Sequence, residues 1–158
     1  MPGNFEILPD LAGKSILFVG LGNVLHHDDG VGVYMAQGIQ ENQQIRVIIA
    51  EVSLENYIGK INAILPDILI LIDSVLFSRR PGYCQLVPAE KIMDYTTNTH
   101  NISMSRIIGF CSAQTYVLGV EPAVVSFGEG LSSRVKKKAD LLVRRINTCF
   151  LANSHGFL

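Results

Sequence analysis

The run Ile68-Leu69-Ile70-Leu71-Ile72 has no polar residue at either parity. Successive side chains of a strand point to opposite faces, so a strand with one wet face alternates apolar with polar residues. An unbroken apolar strand needs cover on both sides. This run is long enough for a strand and too short for a helix, and it is bounded by Pro66-Asp67 before and Asp73 after. It therefore predicts a central strand of a parallel sheet with packed layers above and below, and it delivers an aspartate to its carboxyl end.

The rest of the chain fits that demand. From Ser15 onward, short β-branched runs alternate with stretches of helical period. Ile16 to Val19 reads as the first strand, followed by the turn Gly20-Leu21-Gly22-Asn23, the acids Asp28-Asp29-Gly30 and a helix to about Gln40. Ile45 to Ala50 reads as the second strand. Leu54, Tyr57, Ile58, Ile61 and Leu65 form the apolar stripe of a helix that stops near Pro66. Arg79-Arg80-Pro81-Gly82 turns the chain into a short strand, Tyr83 to Val87. Met104, Ile107, Ile108 and Cys111 recur at helical spacing after an N-cap at Asn101 or Ser103, and Tyr116 to Val120 forms another strand. The last helix begins near Ser132 or Ser133 with Val135, Ala139, Leu142, Ile146 and Cys149 as its buried stripe. The expected fold is α/β, a three-layer sandwich whose mostly parallel twisted sheet is flanked by helices, with Tyr83 to Val87 as an antiparallel edge. At 158 residues and 48% apolar content, the chain is expected to form a single domain over 1–158, with its core at about 15–150.

Charge excludes some partners. Thirteen Lys plus Arg against 14 Asp plus Glu give a net charge of −1, which sets up no global field toward nucleic acid or an anionic membrane. Arg134, Lys136, Lys137, Lys138, Arg144 and Arg145 crowd the last helix, where they read as a solvated face opposite the apolar stripe. Cys84, Cys111 and Cys149 are too scattered for a disulfide framework or a zinc knuckle. The first residues have no basic segment leading into an apolar one, and no stretch approaches a membrane span. The expectation is a soluble, cytoplasmic protein with reduced thiols.

Open α/β sheets gather functional groups beyond the carboxyl ends of their strands. Asp28, Asp29, Glu51, Asp73 and Glu121 all fall at such ends. Gly20-x-Gly22 resembles the start of a dinucleotide fingerprint, but Leu25 stands at the third glycine position and two acids would face the pyrophosphate. Asp28 and Asp29 taken alone read as helix caps. Together with Asp73 and with His100 just before a helix, they offer an oxygen, oxygen, nitrogen set that suits a borderline divalent metal with positions left open for substrate. His26 and His27 are neighbours that point in different directions and read as loop residues. No Gly-x-Ser-x-Gly elbow, no HExxH helix and no Walker lysine is present.

Taken in order, several landmarks resemble the nickel–iron hydrogenase maturation endopeptidases, especially the branch that serves membrane-bound, hydrogen-evolving hydrogenases. They are Gly22-Asn23 leading to Asp28-Asp29-Gly30-Val31-Gly32, then Leu54-Glu55-Asn56, Leu71-Ile72-Asp73-Ser74, Thr99-His100-Asn101, Gly119-Val120-Glu121-Pro122 and Phe127-Gly128. The resemblance spans about Ile16 to Ile146. Ile102-Ser103-Met104 departs from the proline and leucine that often follow the family's histidine, and Glu51 stands where glycine is common.

The resemblance implies an endopeptidase that removes the C-terminal extension of a hydrogenase large-subunit precursor once nickel has been inserted. It implies that Asp29, Asp73 and His100 are the metal-contacting and catalytic positions; a spare carboxylate, Asp28 or Glu51, is the candidate base. The nickel is carried by the substrate, no tightly held resident metal is expected, and the protein is expected to act as a monomer. A non-catalytic, nickel-dependent chaperone for the large subunit would use the same three residues. That is the alternative to be tested.

Overall fold

A computed structural model describes residues 11–94 and 109–154. Among these residues the sheet has five strands: β1 (Ile16–Leu21), β2 (Ile45–Glu51), β3 (Ile68–Ser74), β4 (Cys84–Pro88) and β5 (Gln114–Val120). Their order is β2-β1-β3-β5-β4. The pairs β1/β2, β1/β3 and β3/β5 are parallel, whereas β4 runs antiparallel against β5. The α/β fold with one antiparallel edge strand thus follows the sequence reading. The turn through Arg80 to Tyr83 is closed by a Tyr83 N–H bond to the Arg80 carbonyl, and it reverses the chain into that edge.

The all-apolar β3 is buried along its whole length, and its two parities feed separate cores. Ile68, Ile70 and Ile72 pack with Ile16, Phe18 and Leu118 beneath helix α1 (Val31–Gly38) and the long helix α3 (Ser133–Ser154). Leu69 and Leu71 pack with Leu17, Val19 and Val117 against the opposite layer, which includes a 3-10 turn (Leu54–Tyr57) and helix α2 (Ile58–Ile64). Each such side chain removed from water contributes on the order of 1.5–3 kcal/mol, which holds the three layers together.

Helix α3 buries Val135, Ala139, Leu142 and Ile146 as expected, but its next buried residue is Phe150, with Cys149 only half-buried. Its cations face outward: Arg134, Lys136, Lys137, Arg144 and Arg145 are exposed. The expected helix starting at Asn101 or Ser103 lies largely outside the described residues. Leu65 ends α2 in a left-handed conformation (φ 50°) just before Pro66.

One packing constraint sets the position of everything beyond the strand ends. The strand order reverses between β1 and β3, and α1 crosses over the carboxyl ends of both. A Cβ on Gly32 would lie 2.0 Å from the Ile72 carbonyl oxygen and 2.4 Å from that of Leu21. Only glycine permits that approach, because no rotamer change can move a backbone oxygen. Gly32→Ala is therefore expected to destabilise the fold by about 3 kcal/mol or more, beyond ordinary overpacking. Urea denaturation checks this, and a variant within about 1 kcal/mol of the parent would mean that α1 can lift away from the sheet easily.

Candidate active site

The reversal between β1 and β3 opens a crevice at their carboxyl ends, the position where open α/β sheets hold ligands. Asp73 is the penultimate residue of β3 and is 2% exposed. Asp29 sits in a 3-10 turn, His27–Gly30, between β1 and α1. Gly22, with φ +119°, lets that turn fold back: a Cβ there would fall 1.8 Å from the Asp29 carbonyl oxygen and 3.6 Å from Asp73 Oδ1.

Ser74 touches both acids. Its amide donates to Asp73 Oδ1 at 2.8 Å, and its hydroxyl donates to Asp29 Oδ1 at 3.0 Å. The other Asp29 oxygen accepts the Asn23 amide at 2.9 Å. Asp29, Ser74, His26, Leu76, Pro122 and Val125 line an open cleft of about 230 Å³. Among the described residues, a larger hollow of about 390 Å³ on the His27 side of the turn has no acidic residue in its wall. The acidic chemistry belongs to the smaller cleft.

The two buried aspartates have opposite electrostatic situations. Burial drives the Asp73 carboxyl well above the ordinary carboxylate range, the negative charge of Asp29 adds to the rise, and the Ser74 amide offsets only part of it. Asp28 is also fully buried, and burial would likewise raise it. Its hydrogen bonds outweigh that effect: Oδ2 accepts the Ala123 and Val124 amides and the Ser132 hydroxyl at 2.8–2.9 Å, and Oδ1 accepts the Ser132 amide at 2.7 Å. Asp28 is therefore held below the ordinary value.

Several expectations change here. Neither Asp28 nor Asp29 caps α1, since no side-chain cap bond is made at the turn or the helix. Asp28 reaches instead across to the loop after β5, and its committed oxygens make it no base. Glu51 is exposed and does not line the cleft. Its backbone has φ +55°, and its carbonyl accepts the Gly22 amide at 2.9 Å. A left-handed backbone explains why glycine suits that position. Glu121 is buried and accepts the Phe77 amide, which makes it a loop anchor. His100 lies outside the described residues, as does His155. Among the described residues, no group of three His, Cys, Asp or Glu is arranged to hold a metal.

Two residues of the cleft are given no role in the sequence reading. Ser74 appears there only as the last residue of the Leu71-Ile72-Asp73-Ser74 landmark. His26 reads as a loop residue, yet its Nδ1 lies 3.2 Å from the Val125 carbonyl and its ring meets Phe127 edge-on at 6.1 Å between centroids. A carbonyl only accepts, so Nδ1 carries a proton, and in the neutral tautomer that this bond selects the lone pair is on Nε2. His27, at φ 47°, is turned away and bonds through Nδ1 to the Gly130 carbonyl at 3.0 Å. The adjacency of the two histidines does split them, but one of them borders the cleft.

Comparison with known proteins adds to this geometry. A family model described as hydrogenase maturation protease, HycI, matches residues 31–148, a stretch that begins just after Asp29 and contains Asp73 and His100. A Methanocaldococcus jannaschii protein with the provisional name hydrogenase maturation protease is 26% identical over 147 residues, which covers 84% of this chain and 86% of that one. The crystal structure of the nickel–iron hydrogenase maturation protease HycI from Thermococcus kodakarensis has a TM-score of 0.79 at 24% identity, over 91% of this chain and 97% of its own. The solution structure of the Escherichia coli endopeptidase HycI has a TM-score of 0.74 at 19% identity, over 85% and 90%. At these identities the two structures speak to the fold.

The two buried aspartates give opposite pH signatures. Asp73, raised in the folded state, penalises folding once the pH exceeds the ordinary carboxylate pKa of about 3.9, because the unfolded chain then binds fewer protons. Asp28, depressed in the folded state, adds stability above that value and loses it only as the pH falls through its lower folded value. Asp73→Asn should therefore unfold at higher urea than the parent at neutral pH, with the gap closing near pH 4. Asp28→Asn turns an amide donor toward buried donors and should lose about 3 kcal/mol or more at neutral pH. Urea midpoints of the three proteins across pH check both signs, and a destabilised Asp73→Asn at neutral pH would contradict the account of Asp73.

Proposed function

This chain belongs to the hydrogenase maturation protease family, and from that premise we propose that it is the endopeptidase that removes a C-terminal extension from the nickel-loaded large subunit of a nickel–iron hydrogenase. In this reading Asp29, Asp73 and His100 contact nickel that the substrate carries, and the chain works as a cytoplasmic, single-domain monomer. A precursor without nickel offers the cleft too little binding energy, so cleavage waits for metal insertion.

The observation that carries this reading is the pair of carboxylates bridged by Ser74 at the strand reversal. Asp73 is hidden from water beside a second acid. Among the described residues no Lys or Arg pairs with it, the one ion pair being Arg46 with Glu41 at the surface. A carboxyl in that position is relieved by an arriving divalent cation, and oxygen donors suit a borderline metal when a nitrogen donor completes the set. Holding nickel there also fixes the attached polypeptide, so that the scissile bond is presented to the cleft in one orientation. Among the described cleft residues, His26 in its neutral form would take a proton from the attacking water through Nε2.

The rim suits a polypeptide. Leu76 and Val125 line the cleft and are exposed, and Phe127, 79% exposed, stands against the His26 ring at its edge. Exposed apolar groups clustered at a cleft give an extended chain a surface on which to lie. Phe127→Ser is expected to raise KM for the precursor several-fold with kcat little changed, as steady-state cleavage kinetics would show; an unchanged KM would remove Phe127 from the substrate path.

The central test incubates the purified protein with nickel-loaded and nickel-free precursor and weighs the products by mass spectrometry. The expected outcome is a shortened large subunit from the loaded precursor only. Asp29→Asn, Asp73→Asn and His100→Ala should each abolish cutting while the chain stays folded. Tight binding of loaded precursor without cutting would sink the peptidase reading and leave a chaperone.

A further inference from the structure

We infer that Ser74 is a positioning residue that holds Asp29 and Asp73 as one preorganised pair, and that it thereby sets how strongly the cleft discriminates nickel-loaded from nickel-free substrate. The inference rests on the peptidase reading and adds a residue to it.

Ser74 makes two different contacts with two different chain segments. Its main-chain amide fixes the Asp73 carboxyl from the adjoining position at 2.8 Å. Its side-chain hydroxyl reaches 45 residues back along the sequence, to Asp29 Oδ1 at 3.0 Å. Any residue at position 74 supplies the first contact, because every residue other than proline has the amide. Only a short side chain with a hydroxyl supplies the second in this place, where Ser74 is 6% exposed.

Asp29 needs that second contact. It is half-buried, on a turn rather than in the sheet. The Asn23 amide holds its Oδ2, and one hydrogen bond at one oxygen leaves the carboxylate free to swing about it. The Ser74 hydroxyl at the other oxygen fixes the carboxylate plane relative to β3, and hence relative to Asp73. A carboxylate oxygen accepts more than one partner, so each Asp29 oxygen keeps a lone pair for a ligand in the cleft. Groups that orient ligands in this way change metal affinity or activity by roughly 10–100-fold when removed. Ser74 also lines the cleft itself, which places the hydroxyl at the junction of the pair and the space that substrate enters.

The experiment measures binding as well as cutting. Affinities of nickel-loaded and nickel-free precursor are determined for the parent, Ser74→Ala, Asp29→Asn and the double variant, alongside kcat and KM for the loaded precursor and a thermal melt for each protein. Ser74→Ala is expected to reduce the loaded-to-unloaded affinity ratio by about tenfold with the melt nearly unchanged, and to lower kcat/KM to a similar extent. In the Asp29→Asn background the same substitution should have no further effect, because the hydroxyl acts through Asp29. Ser74→Thr, which restores a hydroxyl, should recover most of the ratio. A Ser74→Ala ratio within twofold of the parent, or a loss that adds fully to that of Asp29→Asn, overturns the inference. A parent protein that cuts the loaded precursor but binds both forms equally also overturns it, while the peptidase reading survives. A parent that cuts neither form fails at the level of the peptidase reading.

Discussion

The buried carboxylate of Asp28 joins the two loops from which the cleft is built. With all four of its bonds directed at residues 123–132, it ties the turn after β1 to the loop that follows β5, across 95 to 104 residues of sequence. Backbone bonds extend the seam: Asp28 N–H to Val124 O, His27 N–H to Gly128 O and Gly128 N–H to Leu25 O. Asp29 is the next residue on one side of this seam, while Pro122 and Val125 stand on the other. The cleft wall and its carboxylate are therefore positioned by the same interaction. Charge-assisted hydrogen bonds are the strong ones, and four of them converge here on one buried group.

Asp73 is the converse case, with burial and a like-charged neighbour on one side and a single amide on the other. Stable folds avoid such an arrangement unless something offsets it, and carboxyls displaced in this way concentrate at functional sites. The rigid part of the molecule makes the arrangement possible. β3 is packed on both faces, Gly32 brings α1 down onto the ends of β1 and β3, and a strand held that firmly can carry an unfavourable residue at its end. The two buried aspartates thus differ: hydrogen bonds outweigh burial at Asp28, and one amide offsets only part of it at Asp73.

Much of this could be read from the sequence because it depends on local pattern. Ile68 to Ile72 alone required two covering layers, and the Arg79-Arg80-Pro81-Gly82 turn marked the antiparallel edge. Strand ends located Asp29 and Asp73 in a common crevice. What could not be read depends on partners distant in sequence. Asp28 and Asp29 are identical neighbours at a helix start, where both resemble caps, and nothing nearby reveals that Asp28 is bound to Ser132 while Asp29 faces Ser74. His26 and His27 likewise differ only through backbone geometry, since the left-handed conformation at His27 turns one ring to Gly130 and leaves the other beside Val125. Ser74 closes a landmark motif, but nothing in the sequence gives it a role, for its contact lies with a residue 45 positions away.

The chemistry of the site also bears on why its metal would arrive with the substrate. A resident ion requires a shell that is closed or nearly so in the protein alone, with ligands satisfied and fixed before any substrate appears. Here Asp29 is half-exposed with one hydrogen bond at each oxygen, and burial raises the Asp73 carboxyl, so that in the proposed reading a proton competes at Asp73 with an arriving cation. In the proposed reading the ion comes already coordinated on a polypeptide, and contacts along the apolar rim then add to those at the metal. A cleft built on that principle would read the presence of metal and the identity of the chain in one binding event.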